Sequence, residues 1–265
     1  MYNFNYHRPA SLEEAVNALS SADDGKLMAG GMTLLPTMKQ RLASPSDLID
    51  LSGIKDISGI REEGGSLVIG AMTTHAEVAD SALVKSKIPA LAALAEGIGD
   101  PQVRNRGTLG GSIANADPAA DYPAALVGLG ARVKTNQREI AADDFFLGLF
   151  ETALETGEIV VSVHFPVPKA AAYAKFPNPA SRYAVVGVFV AQSADGARVA
   201  VTGAGPSVFR ATAMEKALSG DFSASALDGI AVEADELNSD MHASADYRAH
   251  LVGVMAKRAV TAAKG

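Results

Sequence analysis

The period of the apolar positions changes repeatedly along the chain, and the changes predict short helices alternating with short strands. Ser11-Leu12-Glu13-Glu14 has capping-box spacing, in which Ser11 accepts from the Glu14 amide and Glu14 reaches back to the Ser11 amide. Leu12, Val16 and Leu19 then share one helical face. Lys26 to Ala29 reads as a strand running into Gly30-Gly31, followed by a short helix around Leu34 to Leu42. Asp47 to Leu51 and Ser66 to Ala71 read as buried strands. Thr74-His75-Ala76-Glu77 repeats the capping-box spacing and predicts a helix to about Leu83. Ile88, Leu91, Ala92, Leu94 and Ala95 mark another helix, ended at Gly97. Gly99 to Tyr122 is rich in Gly, Asn, Asp and Pro, too long for a plain connector, and is expected to be a working loop. Ala124 to Leu129 then reads as helix, and Ala131 to Thr135 and Ile159 to Phe165 read as strands.

The character changes between Pro166 and Pro179, where four prolines fall in fourteen residues. A domain boundary near Lys169 is expected, dividing the chain into residues 1–168 and 169–265. Tyr183 to Gln192 and Ala197 to Gly203, turning at Asp195-Gly196, give a β-hairpin signal. Helices are expected over Phe209 to Leu218, Ala224 to Leu237 and Ala245 to Ala263. The fold class is α+β: a mixed N-terminal part, then a smaller C-terminal part with an antiparallel sheet and helices.

Composition narrows the functions. With 265 residues, 48% of them hydrophobic, the chain can bury a real core. The net charge is −7 and no basic run follows a phosphate backbone, so nucleic acid is not an expected partner. There are no cysteines, which removes disulfides, a thiol nucleophile and a thiolate-held iron–sulfur cluster from this chain. The five histidines are scattered without metal-binding spacing, and no metal site is expected. Met1-Tyr2-Asn3-Phe4 does not open a signal peptide, and no apolar stretch reaches transmembrane length, so the expected location is cytoplasmic.

Two glycine pairs carry the chemical signal. In Ala29-Gly30-Gly31-Met32-Thr33-Leu34-Leu35-Pro36 the glycines end a strand and a helix begins. Backbone amides there can form an anion-binding nest, helped by the helix start. The same pair would also serve a plain tight turn. In Thr108-Leu109-Gly110-Gly111-Ser112 a second pair lies beside hydroxyl residues, with Asn115, Asp117 and Asp121 following. Carboxylates there can accept from sugar or ribityl hydroxyls, or can simply cap turns. Neither loop is a G-x-G-x-x-G or P-loop fingerprint. Together they favour a dinucleotide held along its diphosphate.

These loops, with the run Gly99-Asp100-Pro101-Gln102-Val103-Arg104-Asn105-Arg106 leading into the second, resemble the FAD-binding medium subunit of the carbon monoxide dehydrogenase and xanthine dehydrogenase family. Lys175 to Gly187, Val201 to Pro206 and Ser244 to Arg248 resemble that family's C-terminal domain, so the resemblance spans essentially the whole chain. It implies a two-part, PCMH-like FAD-binding domain followed by the smaller domain. It further implies that the amides of Ala29, Gly30, Gly31, Met32, Thr33, Leu34 and Leu35, and of Thr108 to Ser112, hold the FAD diphosphate. Asp121 would take a cofactor hydroxyl, and Lys175 and Tyr183 would lie nearer the flavin, with Tyr183 against the ring.

One position departs from the family pattern. Many members carry histidine after the first glycine pair, where this chain has Met32. An imidazole contact or a histidine-linked flavin is therefore not available there, and FAD is expected to be non-covalent. The resemblance implies an electron-transfer role. A partner large subunit would oxidise substrate at a molybdenum cofactor, a small subunit would carry electrons on iron–sulfur clusters, and FAD here would pass them to an external acceptor. No residue of this chain is then a general acid, base or nucleophile, and His75 and His164 are expected to be structural. The alternative, a free-standing FAD-dependent oxidoreductase, would need acid–base residues of its own, and no cluster supplies them.

Overall fold

Three larger sheets and one two-stranded hairpin make up the strands of the computed structural model, which describes residues 1–264. The first is parallel: β1 (Asn5–His7), β2 (Gly25–Met28) and β3 (Asp47–Asp50), in the order β1-β3-β2. The helix Leu12–Ser21 crosses over between β1 and β2. Its cap differs in one detail from the sequence expectation. Ser11 accepts from the Glu14 amide, but the Glu14 carboxylate reaches the amide of Ala10, one residue further back.

The second sheet is antiparallel. It contains β4 (Ile60–Glu63), β5 (Ser66–Gly70), β6 (Arg132–Thr135) and β7 (Glu139–Ala141). A small hairpin, β8 (Phe146–Gly148) and β9 (Glu151–Thr152), precedes β10 (Val160–Pro166), which returns to the sheet centre between β5 and β6. The helical segment after β5 is capped by Thr74 with the full reciprocal capping box. It does not run on to Leu83. Ser81 is extended and caps a second helix, Ala82–Lys87, by accepting from the Val84 amide. The stretch Gly99 to Tyr122 also departs from a plain loop, for it holds the helices Pro101–Arg104 and Leu109–Asn115, each with a side-chain cap.

The third sheet is β11 (Ala170–Pro177), β12 (Ala184–Ser193), β13 (Gly196–Thr202) and β14 (Phe209–Arg210), antiparallel in that order. Sequence periodicity misses β11 because prolines surround it. Pro166 and Pro168 precede it, Pro177 sits at its end beside a register shift, and Pro179 follows, so no interior ladder bond lacks its N–H. The helix expected over Ala224 to Leu237 is only one turn, Ala224–Leu227. Gly229, at φ +78°, turns the chain away before a second turn can form.

β12 is buried from Ala184 to Ala191, and it has cover on both faces. On one side the long helix Ala245–Lys264 lays Leu251, Val252, Met255, Ala256, Ala259 and Val260 on the sheet. On the other lies the helix Tyr122–Leu129, every residue of which is buried. Gly128 lets Phe189 press against that helix, since a Cβ at 128 would lie 2.8 Å from the ring. Phe189, Ala191 and Ala200 thus belong to the same core as Leu67, Phe145 and Phe165 of the N-terminal part. Burying the Phe189 side chain alone contributes about 1.5–3 kcal/mol. The two parts are therefore seated on each other by a shared core.

Candidate cofactor-binding site

A cleft of about 560 Å³ opens in the N-terminal part, within the size range of small-molecule sites. Both glycine loops line it, and Ser181, Arg182 and Tyr183 close one end. The loops touch each other. A Cβ on Gly30 would lie 1.9 Å from the Arg106 carbonyl oxygen and 2.8 Å from the Gly107 Cα. One on Gly111 would lie 3.0 Å from the Ala29 Cβ. Their glycines serve this mutual approach as well as any ligand.

The two loops are not equivalent. Gly31 is left-handed, at φ +73°, and the helix Leu34–Lys39 starts directly after it. The amides of Gly30, Gly31, Met32 and Thr33 donate to no protein acceptor among the described residues. Thr33 makes no side-chain cap bond. This is an open row of donors at a turn, a form of backbone that binds anions. Leu35 is different, because its amide already bonds the Gly31 carbonyl.

In the second loop the amides of Leu109 to Ser112 are engaged, and of the expected donors that of Thr108 alone has no protein acceptor among the described residues. Leu109 N bonds Thr73 O at 3.0 Å, Gly110 N bonds Ala71 O at 2.8 Å, and Ser112 N bonds Thr108 O at 3.0 Å. Gly111 N bonds the Thr108 hydroxyl at 3.1 Å. Thr108 to Ser112 therefore form a capped helix start packed on Ala71, where a Cβ on Gly110 would lie only 2.5 Å from the Ala71 Cβ. What this segment presents to the cleft is side chains: Ser112 and Asn115, whose side-chain polar atoms have no protein partner among the described residues, and Asp117. Asp117 Oδ1 accepts from the Ala119 amide at 2.9 Å, leaving Oδ2 without a partner. Burial pushes its pKa upward, against the pull of that amide.

Asp121 also lines the cleft, but both its oxygens are taken. The Tyr173 hydroxyl donates to one, reaching over Gly187, and Lys175 Nζ lies 2.9 Å from the other. Burial raises the Asp121 pKa more than the Lys175 charge lowers it. The remaining Lys175 protons go to the carbonyls of Gly97 and Arg182, each at 2.9 Å. Lys175 does not reach into the cleft. It ties the second loop region to the strap that carries Tyr183, and Arg182 adds a bond to the Gly99 carbonyl at 3.0 Å. Tyr183 is half-exposed at the cleft end, and burial together with the Asp117 and Asp121 charges raises its pKa.

Sequence reasoning missed His75 as a cleft residue. It lies beneath the second loop, 5% exposed, and its amide bonds the Gly107 carbonyl. Its Nδ1 is buried without a partner, as is the neighbouring Tyr122 hydroxyl. Burial, reinforced by the Arg104 charge, lowers its pKa to about 4, so the imidazole is neutral. No periodic signal places this residue in the cleft, because the contact comes from the fold bringing Gly107 over Thr74. Among the described residues no group of acidic residues and histidines could hold a metal, and no helix is long and apolar enough to cross a membrane.

An open amide row, unpartnered hydroxyl and carboxamide groups and a free carboxylate oxygen fit an elongated ligand with a diphosphate and sugar-like hydroxyls. The comparisons with known proteins agree. Residues 2–168 match the FAD-binding domain of molybdopterin dehydrogenases, and residues 171–263 match the carbon monoxide dehydrogenase flavoprotein C-terminal domain. The carbon monoxide dehydrogenase medium chain of Hydrogenophaga pseudoflava is 38% identical, over 98% of this chain and 96% of its own length. The nicotine 6-hydroxylase medium subunit of Paenarthrobacter nicotinovorans is 37% identical, over 97% and 96%. A solved carbon monoxide dehydrogenase from Hydrogenophaga pseudoflava superposes with a TM-score of 0.90, at 38% identity, over 99% of this chain and 98% of the other. The chain belongs to the family of FAD-binding medium subunits of molybdenum hydroxylases. Its relatives are oxidoreductase subunits, and two named for different substrates differ by one percentage point in identity to it.

Proposed function

We propose that the chain holds FAD non-covalently in this cleft and relays electrons through it within a larger complex. The observation that carries this is the row of free amides from Gly30 to Thr33 at the left-handed Gly31, facing a cleft with unpartnered polar side chains. Those amides, with Ala29, Leu34 and Leu35 shaping the turn and Met32 at its rim, take the diphosphate. Thr108, Gly110 and Gly111 hold the second loop against the first, while Ser112 and Asn115 offer side-chain hydrogen bonds. Asp117, not Asp121, supplies the oxygen for a cofactor hydroxyl. Asp121 and Lys175 fix the strap that sets Tyr183 against the flavin end.

FAD supplies the redox chemistry when bound, exchanging electrons with centres on other chains. With no cysteine, this chain contributes no thiolate to an iron–sulfur cluster. The donor in this reading is an iron–sulfur small subunit fed by a molybdenum-cofactor large subunit in the cytoplasm, and an external acceptor takes the electrons away. The division near Lys169 separates the part that seats the diphosphate from the part that closes the cleft.

The test is FAD titration of the full chain, followed by acid precipitation. One flavin per chain is expected, with all yellow colour released to the supernatant. Absence of binding, or flavin held in the pellet, would overturn the assignment. The relay itself is tested with the partner subunits present. Substrate should reduce the flavin only when both are added, and direct substrate oxidation by this chain with FAD alone, at rates near 1 per second, would refute it.

A further inference from the structure

His75 lines the cleft but has no part in the cofactor seat described above. Gly107 crosses over it, and the His75 amide bonds the Gly107 carbonyl at 3.0 Å. Gly107 is not left-handed, so its backbone does not call for glycine. Space does. A Cβ there would lie 2.6 Å from His75 Nε2 and 2.8 Å from its Cδ2. The missing side chain leaves that edge of the imidazole uncovered beside the cleft. The same Gly107 abuts the first loop, its Cα 2.8 Å from where a Cβ on Gly30 would stand. Gly107 thus stands between the imidazole edge and Gly30, which opens the row of free amides.

The two ring nitrogens differ. Nδ1 is buried without a partner, whereas Nε2 lies on the Gly107 side and makes no protein hydrogen bond among the described residues. A lone proton on Nδ1 would be a buried N–H with no acceptor, so in the neutral ring it sits on Nε2. The other unpartnered atom nearby is the Tyr122 hydroxyl, on a ring whose centroid is 5.3 Å away. A hydroxyl both donates and accepts, so it suits Nδ1 bare or protonated.

Arg104, on the helix Pro101–Arg104, is the charge that bears on the ring, and with burial it keeps the imidazole neutral. On the helix His75–Asp80, Glu77 turns back to Thr74, and Asp80 is exposed. The neighbouring helices hold their charges, Lys85, Lys87 and Glu96, away from the core. Asp121, next to Tyr122, is paired with Lys175. No carboxylate therefore offsets Arg104 at His75 until an anion enters the cleft.

We propose, resting on the FAD assignment above, that His75 is a further cofactor-binding residue. Its Nε2–H donates to a diphosphate oxygen, and the seated diphosphate draws a second proton from water onto the ring, so that FAD affinity rises as pH falls. The free ring titrates near pH 4, and a neighbouring anion favours the charged form, so the ring's pKa is higher in the complex. The gain in affinity accordingly begins as pH falls through the complex's value and levels off below about 4.

The experiment titrates the flavin-free full chain with FAD by fluorescence and calorimetry at pH 7.5 and pH 5.0. His75→Gln places an amide N–H near the position of Nε2 but does not titrate, and it keeps Asp117, the other cleft group whose pKa is raised. The parent's gain in affinity at pH 5.0 should exceed that of His75→Gln by at least about threefold. The parent alone should show the matching proton uptake, read in two buffers of different ionisation enthalpy. At pH 7.5, His75→Gln should bind within about threefold of the parent, and His75→Leu at least about tenfold more weakly. NMR of labelled imidazole nitrogens should show His75 Nε2 shifting on FAD saturation. Equal pH dependence in parent and His75→Gln, equal weakness of His75→Gln and His75→Leu, or an unmoved Nε2 signal would each overturn the proposal. Should His75→Leu fail to fold, judged by circular dichroism, the pH comparison and the NMR signal decide. A parent chain that binds no FAD at either pH would instead count against the FAD assignment.

Discussion

Gly30→Ala is the sharpest perturbation of the cofactor seat. The new Cβ would stand 1.9 Å from the Arg106 carbonyl oxygen, where ordinary contact begins near 3.4 Å. Both groups are backbone, so no side-chain rotation relieves the clash and the two loops must part by about 1.5 Å, the difference between those distances. Overpacking of this kind costs about 1–3 kcal/mol of stability. The effect on FAD should be larger, because the free amides from Gly30 to Thr33 ride on the displaced segment. Losing two charge-assisted hydrogen bonds, at about 1.5–3 kcal/mol each, weakens binding by at least about a hundredfold. The assay is FAD fluorescence titration beside urea unfolding of the flavin-free chain. Gly111→Ala is the comparison, for its Cβ would meet the Thr108 hydroxyl at 2.9 Å and the Ala29 Cβ at 3.0 Å. Shifts of a few tenths of an ångström relieve these contacts, so a loss of only about tenfold is expected, roughly one hydrogen bond. A Gly30→Ala chain that folds and binds FAD as tightly as the parent would refute the claim that this row seats the diphosphate. Equal losses in the two variants would refute the division of roles between the loops.

Lys175→Met should destabilise the flavin-free chain by about 3–5 kcal/mol in urea unfolding, because it strands the buried Asp121 carboxylate; a loss under about 1 kcal/mol would contradict the clasp. The same variant should leave the salt dependence of FAD binding unchanged, whereas a flattened dependence would show that Lys175 meets the diphosphate directly. His75 has a folded pKa of about 4 against 6.5 unfolded, so its contribution is full above pH 6.5 and is lost as pH falls towards 4. The loss amounts to about 3 kcal/mol, so the parent should fall by that much relative to His75→Phe over that window; parallel curves would show the imidazole titrating normally. Gly253→Ala, in the long C-terminal helix with open space around it, should stabilise by about 0.5–1 kcal/mol, read as a raised Tm with unaltered FAD affinity.

The sequence revealed structure where one local rule acted alone. Thr74 and Glu77 specify their capping box without tertiary help, and the Asp195-Gly196 turn sets the β12–β13 hairpin. The long helix Ala245–Lys264 is legible because its apolar stripe faces a single sheet. Failure came where two signals competed. The prolines around β11 read as a linker because their positions at strand ends are visible only once the pairing with β12 is known. The alanines after Ala224 read as helix, although Gly229 overrides them. Within the site, both glycine pairs were legible as close-approach points, but which amides were free was not. That depends on Ala71 and Thr73 supplying carbonyls to the second loop from a strand end far away in sequence.

That difference explains how the same sequence feature does two jobs. A glycine pair permits close approach, and what approaches is decided by the nearest unsatisfied group. Behind the second pair lies strand-end backbone with carbonyls to satisfy, so protein fills the space and the loop becomes a rigid floor. Ahead of the first pair lies the cleft, and the amides there have no protein acceptor among the described residues. In the proposed reading the cofactor seat is thus firm at its diphosphate end, where two backbones lock together. At its other end the wall is a single half-exposed tyrosine on a strap, held by the three hydrogen bonds of Lys175 and one from Arg182. The proposed relay would use both properties: a fixed cofactor, so that distances to a donor stay constant, and a thin wall at the cleft end. Tyr183 and Ser181 line a cavity on each side of that wall.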